Sequence, residues 1–436
     1  MSEKKLDIER RNSTGRGAIR SDFYGRFATG KCFDHNSSED QAGGEGPPPL
    51  VFMPTMGALR LMDGRNRMSA GNPFASTSEG AGPNLETMGE VLITGGAGFL
   101  GRYLANGLAA SGNSVTVLDD LSCSNSTFDC AELQHERISC VRGSVFNRGL
   151  VNSLVAQHRT VVHFASVVGV EETISHIRRT VENLNGTLNV VGALSPEHVA
   201  LFASSADVYG AHSHFYDRAM REDDYFLFQN AAVNRWVYPH VKALEENLII
   251  NSVARSVVIR VFNTYGPAMD FPAPKRVVPH FIDCVLQGQP LKLSGDGSQR
   301  RSFCYVQDMI RGMVLALAYT ASQGAPFSQC FNLGSPDPMT IRELADTIVD
   351  TALQVGLLDE PCPVRPHAFH YSQSFDDTWS RVPDITRSKD ILGFSPSVSL
   401  SDGLKVTLTY YRDLSGGSGT ARAATNSVSG SAACAS

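Results

Sequence analysis

Residues 90–101 read EVLITGGAGFLG, and this stretch decides the fold of the 436-residue chain. Its first five residues form a short apolar run that predicts a buried strand, and residues 103–110 predict a helix. Between them stand Gly95, Gly98 and Gly101, which suit a tight turn, a close approach of the backbone to a pyrophosphate, and close packing of helix against strand. The order of strand, glycine loop and helix predicts a dinucleotide-binding unit.

A second strand with an acidic end supports this interpretation. Residues 114–118 read SVTVL and lead into Asp119 and Asp120, about twenty residues after the loop, where the dinucleotide fingerprint has its acid. A carboxylate there binds the ribose hydroxyls of the cofactor, and we favour Asp119 because it stands at the strand end. The negative charge would repel a 2′-phosphate, so the sequence predicts NAD rather than NADP.

Further along the chain, strand and helix patterns alternate. Apolar runs at residues 160–164, 198–203 and 256–260 predict strands, and a long helical pattern ends near Leu194. Alternation of this kind predicts an α/β fold with a Rossmann-type doubly wound parallel sheet, whose ligand crevice lies at the carboxyl ends of the strands. We assign residues 89–267 to an NAD-binding domain and residues 268–413, where the pattern is irregular, mainly to a smaller C-terminal substrate-binding lobe.

Composition describes the two ends of the chain and the class of partner. Residues 1–88 and 414–436 are rich in Gly, Ser, Asn and Pro without periodicity, which predicts disordered tails. The net charge of −6 and the pI near 6.1 argue against a nucleic-acid partner, and no segment is long and apolar enough to predict a membrane span or a signal peptide. Nine scattered cysteines without a C-x-x-C pair predict a reducing compartment, the cytoplasm, and no metal site. The expected partner is a small molecule.

Tyr238 and Lys242 stand four residues apart, and Ser205 precedes Tyr238 by 33 residues. On a helix this spacing puts the two side chains on one face, so that the ammonium group lowers the pKa of the phenol and prepares it as a base. A tyrosine and a lysine at this spacing often coincide on an amphipathic surface helix, and the upstream motifs favour the catalytic alternative. Pro239 directly follows Tyr238, which predicts that the helix starts there with proline at its first position.

Eight motifs in order resemble the extended short-chain dehydrogenase/reductase family, in its nucleotide-sugar branch of NAD-dependent epimerases, 4,6-dehydratases and UDP-glucuronate decarboxylases. The motifs are VLITGGAGFLG, HFAS, NLNGTLNV, SSADVYG, YPHVK, RVFNTYGP, GDGSQRRSFCYVQD and RVPDIT with LGFSP. This resemblance implies a bound NAD that is reduced and reoxidised within one turnover, and a sugar whose 4-hydroxyl is oxidised first. It also implies a homodimer formed through the two long helices expected at residues 170–194 and 238–252.

The resemblance assigns roles to individual residues. Tyr238 would take the proton of the 4-hydroxyl, Lys242 would bind the nicotinamide ribose, and Ser205 would hydrogen-bond the same sugar oxygen. Asp207 would act on C5 or orient the sugar. The alternative of equal weight is that Asp207 is a polar turn residue without a catalytic role. The cofactor set adds Gly95, Gly98, Phe99, Leu100, Gly101, Asp119, Ser144 and Val145, where Ser144 replaces the aspartate usual at the adenine. The nucleotide-sugar set is Asn263, Arg276 and Arg301.

Within this family the sequence leaves the reaction open. The C-terminal motifs are similar to those of decarboxylases, whereas residues 166–172 are similar to the corresponding loop of epimerases. Ala206 stands where 4,6-dehydratases carry an acid. We therefore expect decarboxylation of UDP-glucuronate first, a 4-epimerase as the close alternative, and a 4,6-dehydratase third. A non-catalytic NAD-binding scaffold is the alternative from another class of protein.

Overall fold

The computed structural model describes residues 88–123, 126–229, 234–269, 276–367 and 378–416. The expected tails therefore lie outside the described residues, except for Met88 and for residues 414–416, which end the last helix. No helix in the described ranges is long and apolar enough to cross a membrane.

The described chain alternates strands and helices, as the sequence predicted. The strands are β1 Glu90–Thr94, β2 Ser114–Asp119, β3 Ile138–Arg142, β4 Thr160–His163, β5 Val199–Ser205, β6 Arg255–Val261, β7 Thr264–Tyr265, β8 Leu291–Ser294, β9 Arg300–Arg301, β10 Cys304–Tyr305, β11 Phe327–Leu333, β12 Met339–Thr340, β13 Val364–His367 and β14 Ser380–Arg381. The helices are α1 Phe99–Ala110, α2 Arg148–Val155, α3 Val170–Ser175, α4 Ile177–Ala193, α5 Val237–Ile250, α6 Val277–Leu286, α7 Val306–Ala321, α8 Ile341–Gln354, α9 Thr386–Leu392 and α10 Leu400–Gly416.

Seven strands form one parallel sheet in the order β11-β6-β5-β4-β1-β2-β3. The direction in which successive strands are added reverses between β1 and β4, which is the switch point where a doubly wound sheet opens a ligand crevice. This confirms the predicted Rossmann-type α/β fold. The edge strand β11 comes from residues that the sequence assigned mainly to the substrate-binding lobe.

Helices cover both faces of the sheet because alternate strand residues point to opposite sides. Val91 and Ile93 pack in the cluster that contains Leu104 and Leu108 of α1. Leu92, between them, packs in a second cluster with side chains of α2 and α4. The period of two thus gives the central strand two apolar faces, as expected for a parallel sheet buried on both sides.

Short strands beyond β6 build the region beside the crevice. β9 lies between β12 and β14 in a three-stranded sheet, and its parallel register with β14 sets Arg301 opposite Arg381. β7 pairs with β10, and β8 pairs with β13.

Three helices differ from their predictions, since α1 begins at Phe99 rather than at residue 103, α5 begins at Val237, and the third is divided. The long helix expected at residues 170–194 is two helices, α3 and α4, because His176 leaves the helical conformation with φ −124° and ψ 59°. The apolar periodicity continues across this residue, so the sequence pattern did not indicate the break.

Candidate active site

The glycine loop after β1 has a backbone that side chains would obstruct. Gly95 has φ +69°, its N–H donates to Leu118 O at 2.8 Å, and a Cβ on it would lie 2.5 Å from Ala165 N. A Cβ on Gly101 would lie 2.5 Å from the Cα of Gly96. Glycine is therefore required at both positions, and the loop stays close to the ends of β1 and β2.

The loop leads into α1 with free helix donors. The first helical hydrogen bond runs from Arg102 N to Gly98 O at 3.0 Å. The N–H groups of Phe99, Leu100 and Gly101 come before that bond, and helix geometry gives them no intrahelical acceptor. Such donors, at the positive end of a helix dipole, suit a pyrophosphate.

Asp119 joins this loop, whereas Asp120 is exposed. The Asp119 carboxylate accepts hydrogen bonds from Ala97 N at 3.0 Å and Leu121 N at 2.9 Å. Burial raises its pKa above the ordinary value, although these two backbone bonds oppose the rise. Each carboxylate oxygen keeps a further lone pair for a ribose hydroxyl. The loop, the helix donors and this acid together fit NAD, and Asp119 rather than Asp120 is the acid that contacts the loop.

The predicted adenine-contacting residues follow β3. Ser144 is half-buried, and its Oγ accepts a hydrogen bond from Phe146 N at 3.4 Å. Val145 packs closely on α4, since a Cβ on Gly186 would lie 2.6 Å from Val145 Cγ2. Its carbonyl accepts from Asn189 Nδ2 at 2.9 Å. Ser144 and Val145 are thus held at the same end of the sheet as Asp119.

The structure brings the predicted Ser-Tyr-Lys set together. Ser205 ends β5 and its Oγ accepts from Asp207 N at 3.2 Å, while the phenol of Tyr238 is buried near enough for the Ser205 hydroxyl to lower the pKa of that phenol. α5 begins at Val237, after a 3-10 turn over residues 234–236, so Pro239 is the third helical residue rather than the first. The first-turn N–H groups have no intrahelical acceptor, and proline is therefore tolerated at that position as well.

Lys242 is buried beneath the sheet end with several partners. Its Nζ donates to Ala203 O at 3.2 Å and lies 3.0 Å from the Glu245 carboxylate. The same atom lies 4.7 Å from the ring centroid of Phe202 and 5.9 Å from that of Tyr238. Burial disfavours the charged amine, but Glu245 and its other partners outweigh burial and raise the pKa of Lys242. The lysine is therefore a cation at neutral pH.

The pKa of Tyr238 is raised, because burial of the phenol outweighs the opposing effect of Lys242. The negative charges of Asp207 and Glu245 add to the rise, and the hydrogen bond from Ser205 opposes it. The sequence predicted the direction of the lysine's effect but not that burial exceeds it. Before cofactor and substrate bind, Tyr238 is a protonated phenol at neutral pH.

Asp207 lies in an arginine cluster. Its Oδ1 accepts from Arg235 Nη2 at 2.7 Å and from Arg381 Nη2 at 2.8 Å. Burial opposes ionisation of the carboxyl, but the charges of Arg235, Arg381 and Arg301 outweigh it and hold the pKa of Asp207 far below its usual range. Asp207 is therefore a carboxylate at any physiological pH and cannot donate a proton as a general acid.

The predicted nucleotide-sugar residues are placed on separate elements. Arg301 is buried in β9, where Nη1 donates to Arg300 O at 2.8 Å and Trp379 O at 3.3 Å. Asn263 lies next to this strand, because its Nδ2 donates to Ser302 O at 3.1 Å. Arg276 is the residue before α6, and its carbonyl accepts from His280 N at 2.9 Å. Asn263 and Arg301 are brought together, whereas the described contacts of Arg276 place it only at the start of α6.

The loop over residues 166–172 is fastened to α4. Asn183 Oδ1 accepts from Val167 N at 2.9 Å, and its Nδ2 donates to Val167 O at 3.2 Å. Gly169 has φ +104° and precedes α3. The loop thus follows β4 at the switch point, beside the glycine loop.

Three residues of the site were absent from the sequence-based set: Arg235, Arg381 and Glu245. Glu245 follows Lys242 by three residues and Tyr238 by seven, a spacing that puts all three on one helix face and was a usable signal. Arg235 precedes Tyr238 by three residues. Arg381 belongs to the quoted RVPDIT motif, but its approach to Asp207 depends on the register of β14 with β9.

Comparisons with known proteins agree with this geometry. Residues 91–334 match the model of the NAD dependent epimerase/dehydratase family. The chain is 32% identical to a UDP-N-acetyl-alpha-D-glucosaminuronate decarboxylase of Bacillus cytotoxicus, over 74% of this chain and 98% of the relative. It is 30% identical to UDP-glucuronic acid decarboxylase 1 of Danio rerio, over 74% and 72% of the two chains.

A solved structure is similar as well. MoeE5 in complex with UDP-glucuronic acid and NAD superposes with a TM-score of 0.60 at 25% identity, over 75% of this chain and 100% of the other. The Rossmann-type fold agrees with the matched family. The chain therefore belongs to the NAD-dependent epimerase/dehydratase family, and it is an NAD-dependent enzyme of nucleotide-sugar chemistry.

Proposed function

We propose that this enzyme decarboxylates a UDP-uronate, with UDP-glucuronate as its first substrate. The observation that carries the proposal is the cluster around Asp207, where Arg235 and Arg381 contact the carboxylate and the charge of Arg301 acts on it in the same direction. Three guanidinium groups and one carboxylate leave an excess of two positive charges beside Tyr238. A UDP-uronate carries both a diphosphate and a carboxylate, which are the anions that guanidinium groups bind best.

The residues around Tyr238 would manage the proton and the oxygen at C4 of the sugar. NAD, held by the glycine loop and Asp119, would supply the hydride acceptor for oxidation at C4 and the hydride donor for the later reduction. Tyr238 takes the proton of the 4-hydroxyl, and the Ser205 hydroxyl orients the same oxygen. Lys242, a buried cation, favours the ionised phenol during this transfer.

Oxidation at C4 makes the C6 carboxylate part of a β-keto acid. When the bond between C5 and C6 breaks, carbon dioxide leaves and its electron pair moves to the C4 oxygen. Tyr238, protonated by the preceding step, and Ser205 then donate hydrogen bonds to that oxygen. C5 then takes a proton from water, the hydride returns to C4, and Tyr238 returns its proton to the oxygen, so the same pair of hydroxyls serves every step at C4.

The relatives support a uronate substrate. The Bacillus cytotoxicus and Danio rerio proteins are named decarboxylases of UDP-linked uronic acids, one of them N-acetylated. They differ in the group at C2 of the sugar, so we take the carboxylate, which their substrates share, as the feature this site recognises. UDP-glucuronate and its 2-acetamido analogue are the two candidates for direct competition.

The two alternatives have less support. A 4,6-dehydratase must protonate the departing 6-hydroxyl, and neither Ala206 nor the permanently ionised Asp207 can do so. In a 4-epimerase, the keto-sugar must rotate so that the hydride returns to its other face. Arginines that hold the sugar carboxylate would oppose this rotation. The loop over residues 166–172 keeps the epimerase as the second candidate.

One assay separates these reactions. The full chain, supplied with NAD, is incubated with UDP-glucuronate, UDP-N-acetylglucosaminuronate, UDP-glucose or dTDP-glucose, and products are identified by mass. Loss of carbon dioxide from either uronate is the expected result. Loss of water from a glucose substrate, or a retained mass with a new retention time, would replace decarboxylation by dehydration or epimerisation.

We also propose that two copies pair through α4 and α5, which pack against each other. Both helices expose apolar side chains: Ile177, Val181, Leu188, Leu244 and Ile250. Leu188 is 50% exposed and Leu244 is 54% exposed, and a second copy would bury both. In a symmetric dimer, α4 and α5 of one copy would pack on the same two helices of the other copy. Each apolar face would then be covered by an identical face.

We further propose a reducing compartment, the cytoplasm. Six cysteines in the described residues are free thiols, namely Cys130, Cys140, Cys284, Cys304, Cys330 and Cys362, and one of them, Cys140, is exposed. Such thiols persist where disulfide formation is suppressed.

A further inference from the structure

Glu245 is a buried carboxylate that the proposed reaction does not use. It has no exposed surface, and it follows Lys242 by one turn of α5. One carboxylate oxygen lies 3.0 Å from Lys242 Nζ, and the other accepts the hydroxyl of Thr187 at 2.6 Å. A buried carboxylate is costly unless it is paired, so these two contacts account for its charge.

The Thr187 contact continues to the neighbouring strands. Thr187 Oγ1 lies 3.1 Å from His163 Nε2, and His163 Nδ1 lies 2.7 Å from Thr94 Oγ1. Glu245, Thr187, His163 and Thr94 are all buried. The polar chain thus runs from the lysine of α5, through α4 and β4, to the end of β1 just before the glycine loop.

The directions of these hydrogen bonds follow from the number of protons available. Thr187 has one hydroxyl proton and gives it to Glu245, so His163 Nε2 must be the donor to Thr187. His163 is neutral, because burial lowers its pKa to about 4, and its Nδ1 therefore accepts the Thr94 hydroxyl. Each donor of this polar chain thus points toward Glu245.

The next residue, Glu246, provides a comparison. Its carboxylate accepts from Arg260 at 3.0 and 2.9 Å and from Ser204 at 2.5 Å, so it fastens α5 to β5 and β6. Glu246 therefore has a cation of its own. The cation of Glu245 is Lys242, which also has Ala203 O and the Phe202 ring as partners.

We propose that Glu245 is a positioning residue for the reaction: it anchors Lys242 beneath Tyr238 and holds a negative charge beside this pair. This inference rests on the roles of Tyr238 and Lys242 in the proposed function. Lys242 and Glu245 form an ion pair with no net charge. The negative charge of Glu245 therefore reduces the effect of the positive charge of Lys242 on the pKa of Tyr238. The phenol is therefore protonated at neutral pH in the protein without cofactor.

Other charges also face this pair. Glu246 belongs to the same helix, Arg260 comes from β6, His163 from β4, and Asp207 from the turn after β5. Asp207 is compensated by its arginines, Glu246 by Arg260, and His163 is neutral. Asp207 and Glu245 both raise the pKa of Tyr238, whereas Lys242 lowers it. Removing the charge of Glu245 while keeping its shape therefore has a definite sign.

The test measures Tyr238 directly in the NAD-loaded protein without substrate. Tyrosine labelled with ¹³C at Cζ reports ionisation by NMR between about pH 6 and 10.5, and Tyr238→Phe assigns the signal. In Glu245→Gln, Tyr238 should ionise about one pH unit lower than in the unaltered chain. Glu90→Gln is the matched control, because Glu90 is exposed at the opposite end of β1, and it should leave the titration unchanged.

If Glu245→Gln does not fold, Glu245→Asp is the second variant. The shorter aspartate keeps the negative charge but places it farther from Lys242. Its shift should have the same sign and be smaller. The inference is overturned if Tyr238 ionises at the same pH in the unaltered chain and in the Glu245 variants. It is also overturned if Tyr238 ionises in neither protein up to about pH 10.5. A shifted signal in a protein that decarboxylates no uronate would instead reject the proposed function and leave the inference standing.

Discussion

Arg235 and Asp207 form an ion pair in which Nη2 and Oδ1 are 2.7 Å apart and both side chains are largely buried. Arg235 precedes Tyr238 by three residues, and Asp207 follows Ser205 by two. The pair therefore joins the start of α5 to the turn after β5. It fixes the two segments whose hydroxyls meet, so its contribution to the site is positional as well as electrostatic.

Replacing Asp207 by asparagine should destabilise the fold by about 3 kcal/mol at neutral pH, because three guanidinium groups lose a buried counter-charge. The folded-state pKa is depressed, so this stabilisation is present above the unfolded value of about 3.9 and is lost as the pH falls below it. Urea unfolding of both proteins at pH 7 and pH 3 should show the difference at pH 7 and its decrease at pH 3.

The same variant tests whether Asp207 transfers protons. An aspartate that stays ionised contributes no limb to a pH–rate profile between pH 5 and 9, so Asp207→Asn should lower the rate without removing a limb. Turnover of UDP-glucuronate across this range is the measurement. A limb that disappears in the variant would show that Asp207 does exchange a proton.

Tyr238→Phe should lower turnover by about 10³-fold or more and leave UDP affinity within a few-fold, since only the proton-transferring hydroxyl is lost. Calorimetric titration with UDP and the mass assay provide the two readings. The buried ring keeps its packing in phenylalanine, so a fold defect is not expected. Undiminished turnover would reject the assigned role.

The sequence predicted the NAD-binding half of the site well because its signals are local. The glycine spacing, the strand that ends at Asp119 and the Tyr238–Lys242 spacing each lie within one or two consecutive elements, where backbone geometry fixes the neighbours. The predicted strands at residues 90–94 and 114–118 correspond to β1 and β2 within one residue.

The arginine cluster was not predictable in the same way. Arg235 and Arg381 contact Asp207 from a 3-10 turn and a short strand far apart in sequence, and the parallel register of β9 with β14 sets Arg301 opposite Arg381. Two-residue strands have no periodicity to read. Burial, which decides the pKa of Tyr238 and Asp207, likewise depends on packing that a sequence pattern does not show.

The proposed dimer should dissociate when charge is placed on its apolar face. In the double variant Leu188→Glu and Leu244→Glu, four like charges would meet across the two-fold contact, so sedimentation should report a monomer. Leu414→Glu is the matched control, because Leu414 is an exposed leucine of α10, and it should leave the association state unchanged. A double variant that sediments like the unaltered chain would exclude this contact.

Two glycines of the loop should separate cofactor binding from folding. A Cβ on Gly98 would lie 3.3 Å from Gly95 O, a small crowding, but it would occupy the side on which a pyrophosphate approaches. Gly98→Ala should therefore fold and bind NAD about tenfold more weakly. Gly101→Ala, whose Cβ would meet backbone at 2.5 Å, should cost about 2 kcal/mol of stability. Gly324→Ala is the control, since a Cβ there meets nothing within 4 Å.

His163 should make the fold sensitive to acid. Burial lowers the pKa of His163 to about 4 in the folded protein. The same imidazole in the unfolded chain has a pKa of about 6.5, so between these two pH values only the unfolded chain binds the proton. Stability is therefore lost as the pH falls through this window, by about 2 kcal/mol between pH 7 and pH 5. In His163→Asn this loss should be absent, even though the variant is less stable at pH 7 because Thr94 and Thr187 lose their ring partners. Urea unfolding at the two pH values measures both effects, and an equal acid loss in the two proteins would show that His163 is not the titrating group.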